Sequence, residues 1–255
     1  TNSFVPCNGR FPTLIAILTM FFIGTAGGFA TSFLSAAGLT LIILFGILMT
    51  LLVSRLLSMT ILKGVPSSFT LELPPYRTPQ IGKVLVRSIF NRTLFVLGRA
   101  AVVAAPAGLL IWLMANITVG DASLLTHCSQ FLDPLGHAVG LDGTILMAFI
   151  LGFPANEIVI PIVIMAYLAQ GSLLDMSNLS ELHTLLVDNG WTWLTAVCTM
   201  LFSLLHWPCS TTCMTIRKET GSWKWTAVSF LLPTAIGLLL CSTVATAARL
   251  LGCAV

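Results

Sequence analysis

A chain of 255 residues with 56% hydrophobic and only 8% charged residues is not a soluble globular protein, since such domains carry about 25% charged residues. Its mean hydropathy of +0.98 turns most of the surface to lipid, and spans of about 20 apolar residues consume the length as helices with short connections. The net charge of +3 does not call for nucleic acid, because the basic residues flank apolar segments instead of forming one solvated run interleaved with aromatics.

The first residue is Thr1 and no signal peptide precedes the first span, so the chain is expected to be a piece of something longer. Polar Cys7-Asn8-Gly9-Arg10 leads into a first predicted span, Phe11 to Gly28. A second runs from Ser32 to Ser58, with Arg55 near its end and Lys63 just beyond, and the uncharged link around Ala30 and Thr31 predicts a tight helical hairpin. From Lys63 to Arg99 the composition shifts to prolines and basic residues, including Arg77, Lys83, Arg87 and Arg92, which marks a cytoplasmic loop. Its Leu73-Pro74-Pro75-Tyr76-Arg77 cannot be helical throughout. Val84, Leu85, Ile89 and Phe90 recur at helical spacing among basic residues, the pattern of an interfacial amphipathic helix or an ordinary connector.

The third predicted span covers Thr93 to Ala115, with a kink expected at Pro106. Gly120 to Gly143 holds Asp121, His127, Asp133, His137 and Asp142 without Lys or Arg, and is expected to be an outer-side loop. The apolar run Ile145 to Gln170 contains one charge, Glu157, beside Asn156 and between Pro154 and Pro161. A carboxylate at bilayer depth costs roughly 2.5 to 3.5 kcal/mol on insertion scales, so it is expected to face a cavity or an ion path, or to hold broken backbone. Asn156 suits a tight turn. If this run crossed once, Arg217, Lys218 and Lys224 would fall outside; if it enters and returns, they fall inside, as the charge rule requires. A re-entrant hairpin with Gly152 and Pro154 near its tip is therefore predicted, since non-helical backbone at that depth must be buried or line a cavity.

Trp191 to Leu205 begins the next span, anchored by Trp191 and Trp193, and Trp225 to Leu251 is the last. Between them His206-Trp207-Pro208-Cys209-Ser210-Thr211-Thr212-Cys213 is the most polar stretch in any apolar segment. Pro208 removes a helical donor, so the Leu204 carbonyl is expected to lose its partner and to be free for a ligand. A thiol and an imidazole with hydroxyls suit a borderline divalent metal. Val5-Pro6-Cys7 through Leu14 aligns without gaps to Trp207-Pro208-Cys209 through Ile216, which places two Pro-Cys breaks at corresponding positions of an internal repeat. The seven cysteines are odd in number and mostly within apolar segments, which argues against a disulfide framework.

Gly152 to Pro161, Pro208 to Cys213 with the following Thr215 to Gly221, and Leu73 to Arg77 together resemble the membrane region of the ferrous-iron transporter B family, in order and over nearly the whole chain. The resemblance implies an all-α, polytopic integral membrane protein with discontinuous helices, about five full spans and a re-entrant hairpin. Residues 1–60 would end a first Gate region, 61–119 would hold the cytoplasmic loop, amphipathic helix and central span, and 120–255 would form a second Gate region. It implies Fe(II) as transported substrate across the inner, cytoplasmic membrane. Cys7 and Cys209 would be iron ligands, with Asn156, Glu157, His206, Ser210, Thr211 and Cys213 as further path candidates and Pro6, Gly152, Pro154, Pro161 and Pro208 as breakers. No Gly-x-x-x-x-Gly-Lys-[Ser/Thr] stretch is present. Nucleotide hydrolysis is thus expected from a G domain upstream in cis or on a separate chain, with small accessory proteins and a homo-oligomer as further partners. A Gate-type nucleoside transporter and a non-transporting assembly factor or truncated fragment are the alternatives.

Overall fold

The computed structural model describes residues 2–24, 28–60, 80–87, 90, 94–120, 122–168 and 179–252. Leu73 to Arg77 lies outside them. Helices dominate: the described strands are the two-residue Thr118–Val119 and Ala122–Ser123, paired antiparallel.

After a short turn at Asn2–Phe4 the chain forms α1 (Phe11–Leu18), which continues as a wider π turn over Thr19–Ile23 and stops at Gly24, whose φ of 88° is left-handed. The first apolar helix is thus 13 residues, about 20 Å, and shorter than the predicted span to Gly28. Helix α2 (Phe29–Thr60) starts where a linker is expected and runs 32 residues with only Gly46 and Val53 buried. An apolar helix left this bare is a lipid-facing one. A third short helix, α3 (Ile81–Arg87), exposes Leu85 and Val86 together with Lys83. Helix α4 (Leu94–Asn116) passes through Pro106 as one element.

Residues 120–143 are not the predicted loop. They carry α5 (Leu124–Ala138), capped by the Ser123 side chain, which accepts from the Thr126 amide at 3.2 Å. Leu125, Leu132 and Ser129 face inward while Phe131 and Leu135 stay exposed, an amphipathic pattern beneath the Asp and His residues that suggested a loop. Helix α6 (Gly143–Leu151) follows at 111° to α5. Gly143 has no room for a Cβ, which would sit 1.9 Å from the Ser129 carbonyl oxygen, so α5 and α6 touch backbone to backbone.

The run expected to be re-entrant is two short helices, α6 and α7 (Val159–Tyr167), separated by Gly152–Ala155 and a 3-10 turn at Asn156–Ile158. Each is nine residues, about 13 Å long and well short of a bilayer core of about 30 Å. Their feet meet: the Tyr167 hydroxyl donates to Asp142, whose other oxygen caps α6 at the Ile145 amide, 2.5 Å away. The segment therefore folds back on itself as a hairpin. Trp191 joins the same corner, its indole donating to the Tyr167 oxygen at 2.8 Å. Pro161 lies in the first turn of α7, where no donor is required, so it begins a helix and does not break one.

Helix α8 (Leu179–Asp188) precedes α9 (Trp193–Leu205), α10 (Ser210–Thr220) and α11 (Trp223–Leu250). Helices α9 and α10 follow one another across a non-helical break at His206–Cys209. Where five full spans are expected, α2 and α11 are the described helices that meet the length and apolarity of a crossing alone, and the bent α5–α6 pair adds a third if counted as one. The main core gathers α1, α6, α7 and α9 around Leu14, Ile17, Ile145, Phe149, Ile162 and Phe202.

Candidate functional site

The tip of the α6–α7 hairpin lands on the break between α9 and α10. Ser210 donates its amide to the Phe153 carbonyl at 3.0 Å and its hydroxyl lies 3.5 Å from that of Pro154. Gly152 permits this tip: a Cβ there would sit 2.7 Å from Val159 Cγ2 and 2.9 Å from the Ala148 oxygen.

The N-terminal turn docks on the same break. Phe4 is fully buried with Val53, Leu204 and Leu205, and brings Pro6 and Cys7 alongside Pro208 and Cys209. A cavity of about 600 Å³ opens between them, lined by Ser3, Val5, Pro6, Cys7, Arg10, Asn156, Pro208, Cys209, Thr212, Ile216 and Ser229. Both members of the Pro-Cys echo thus face one space, although 202 positions separate the two cysteines (209 − 7). Cys7 is exposed and Cys209 half-buried, with Thr211 and Thr212 hydroxyls 3.1 and 3.2 Å from the Cys209 sulfur.

The remaining candidates divide. Asn156 is buried and lines the cavity from the hairpin tip. Glu157 is exposed and not in the cavity wall; it packs on the N-terminal turn, where a Cβ on Gly9 would lie 3.6 Å from its Cγ. Gly9 leaves that space open. His206 does not reach the cavity: it is 1% exposed, its Nδ1 lies 2.8 and 3.0 Å from the Ser203 and Phe202 carbonyls, and its Nε2 is 3.4 Å from Asn156. Phe149 and Trp207 pack on its ring at centroid distances of 4.9 and 5.6 Å, so it latches the break to the hairpin. Cys213 is buried and donates to the Pro208 carbonyl at 3.5 Å, and Ser210 is used in docking the tip. Among the described residues no three His, Cys, Asp or Glu side chains gather closely enough to hold a metal ion.

Arg10 was not among the candidates. It is 3% exposed, and its guanidinium donates from Nη1 to the carbonyls of Ser3 at 2.8 Å and Leu204 at 2.9 Å, and from Nη2 to Trp207 at 3.0 Å and His206 at 3.4 Å. The Leu204 carbonyl does lose its helical partner at Pro208, but Arg10 takes it, so it is not free for a ligand. Arg10 Nε is buried without a partner, as is the Trp207 indole nitrogen. Both thiols lie within electrostatic reach of the guanidinium. A charged residue next to a Pro-Cys turn at the start of an apolar run was the available signal. A second cavity, about 440 Å³ between α5, α6, α9 and α11, is lined by Leu132, Leu146, Phe202, Trp207 and other apolar side chains, and offers nothing to a hydrated ion.

Family models match two stretches: one described as ferrous iron transport protein B C terminus over residues 39–91, and one described as nucleoside recognition over residues 97–223. A Fe(2+) transporter FeoB of Staphylococcus aureus (strain MSSA476) is 31% identical over 240 residues, covering 90% of this chain and 33% of that protein. Proteins of the same name from Campylobacter jejuni and Helicobacter pylori are 25% and 20% identical, over 90% and 91% of this chain and 38% and 41% of theirs. No solved structure matches. The chain spans about a third of the length of the first of these relatives, and over that stretch it is similar to ferrous iron transport protein B.

Proposed function

We propose that this chain is a membrane path for ferrous iron, a permease segment of the cytoplasmic membrane and not an enzyme. The observation that carries the reading is the meeting of Pro6-Cys7 and Pro208-Cys209 on one cavity, with Asn156 of the hairpin tip in its wall. Fe(II) is a borderline acid, and two thiols with neighbouring hydroxyls suit it better than they suit Mg(II) or Ca(II). Two thiols without a third strong ligand among the described residues form a weak station, and weak, successive binding lets an ion leave as well as enter. Glu157, exposed beside Gly9, would raise the local concentration of cations at this end of the hairpin.

The similarity to proteins named as Fe(2+) transporters supports iron as cargo. The description of one family model points to nucleosides, yet among the described residues the cavity wall holds one amide and no carboxylate with which to bind a base and a ribose. Coupling to GTP would enter through a G domain in cis or on a separate chain, with small accessory proteins and a homo-oligomer as further partners. The test is iron uptake by the complete transporter carrying Cys209→Ser or Glu157→Gln. Both substitutions are expected to lower uptake, and unchanged flux in both would remove the proposal.

A further inference from the structure

A helix broken within an apolar core leaves carbonyl oxygens without partners. The Leu204 carbonyl would have been met by the nitrogen of Pro208, which has no hydrogen, and the His206 carbonyl by the amide of Ser210, which instead binds Phe153. With the Trp207 and Ser3 carbonyls these make a cluster of oxygens that converges on Arg10, a residue of the cavity wall. Carbonyl clusters of this kind replace the hydration shell of a hard cation. Here the cluster is filled from within the chain: Arg10 places its two terminal nitrogens on all four oxygens. Its guanidinium cannot lose its charge, and no described carboxylate pairs with it.

We propose that Arg10 is a specificity-determining residue of the cavity, a resident cation that occupies the carbonyl cluster and so denies it to hard cations. The inference rests on the proposed iron path. An ion that depends on oxygen ligands meets a fixed positive charge and carbonyls already engaged. An ion that bonds sulfur gains Cys7 and Cys209 in exchange for its water, each thiol giving its proton to solvent as the metal–sulfur bond forms. The buried, unpartnered Nε–H is likewise a donor and offers a cation no ligand.

The experiment is protection of Cys7 and Cys209 from maleimide in membranes holding the full transporter, read by mass spectrometry, with Fe(II) under reducing conditions compared against Mg(II) and Ca(II). In the wild type Fe(II) should slow labelling about tenfold or more and the hard ions less than about twofold. In Arg10→Gln that preference should shrink about tenfold, because the carbonyls are released to Mg(II) and Ca(II). Arg10→Lys, which keeps the charge but has three donors for four carbonyls, should restore most of the preference. Equal protection by Ca(II) and Fe(II) in the wild type would overturn the inference without any variant, as would an unchanged preference in Arg10→Gln. Failure of both variants to insert would assign Arg10 to assembly of the fold and not to selectivity. Absence of protection by Fe(II) in the wild type would instead remove the cysteine path itself.

Discussion

Gly46 of α2 fixes how closely the N-terminal turn approaches the cavity. A Cβ at this position would stand 2.5 Å from the Phe4 carbonyl oxygen and 3.4 Å from its carbon, both main-chain atoms that cannot rotate aside. Relief requires the turn to retreat by at least about half an ångström, which displaces the Ser3 carbonyl bound to Arg10 and the Cys7 thiol three residues on. Overpacking of this kind costs about 1–3 kcal/mol, against a gain of up to about 1 kcal/mol from replacing a helical glycine by alanine. Gly108 of α4 has nothing within 4 Å of its would-be Cβ, so Gly108→Ala carries the gain without the clash. Denaturation of the two variants in detergent micelles should therefore differ by about 1–3 kcal/mol, with Gly46→Ala the less stable, and Cys7 should be labelled faster in it. Equal stability of Gly46→Ala and Gly108→Ala, with unchanged labelling of Cys7, would refute the claim that this contact sets the turn.

The feet of the hairpin give a second test: Tyr167→Phe leaves the 3%-exposed Trp191 without its acceptor and Asp142 Oδ2 without its donor, and should cost about 1–3 kcal/mol. In a Trp191→Phe background the same change should cost less, and a strictly additive pair would show the corner to be unimportant. Gly140 combines a φ of +76° with a Cβ position 2.8 Å from the Cys198 sulfur, so Gly140→Ala should lower the unfolding free energy by more than about 1 kcal/mol. Adding Cys198→Ala should restore part of the steric share and leave the contact with Ala245 at 3.0 Å and the backbone strain.

The chemistry of the break was legible because it is local. Pro208 removes a donor wherever it stands, and the Pro-Cys echo marked two such places; that both open on one cavity follows from packing of Phe4 against α2 and α9, which no spacing encodes. The charge parity around Ile145 to Gln170 led to the hairpin, and the Tyr167–Asp142 bond is its structural counterpart. Arg10 was missed because its partners lie as far as 197 positions away, and a charge at the start of an apolar run passes for a flanking residue. The Leu204 carbonyl was read as vacant for the same reason. Helix α5 was legible in its apolar spacing but was masked by the Asp and His residues on its polar side. Glu157, taken as a carboxylate held in an apolar run, is exposed because the turn at Asn156–Ile158 points it past Gly9, out of the wall that Asn156 lines.

The central claim is that Cys7 and Cys209 serve the same ion. Iron uptake by the complete transporter carrying Cys7→Ser, Cys209→Ser and both together tests it most directly, since two ligands of one ion are not independent. Each single change should lower uptake severalfold, and the double change should add little to the worse of the two. Full uptake in the double variant, or losses that multiply as for separate sites, would contradict a shared cavity.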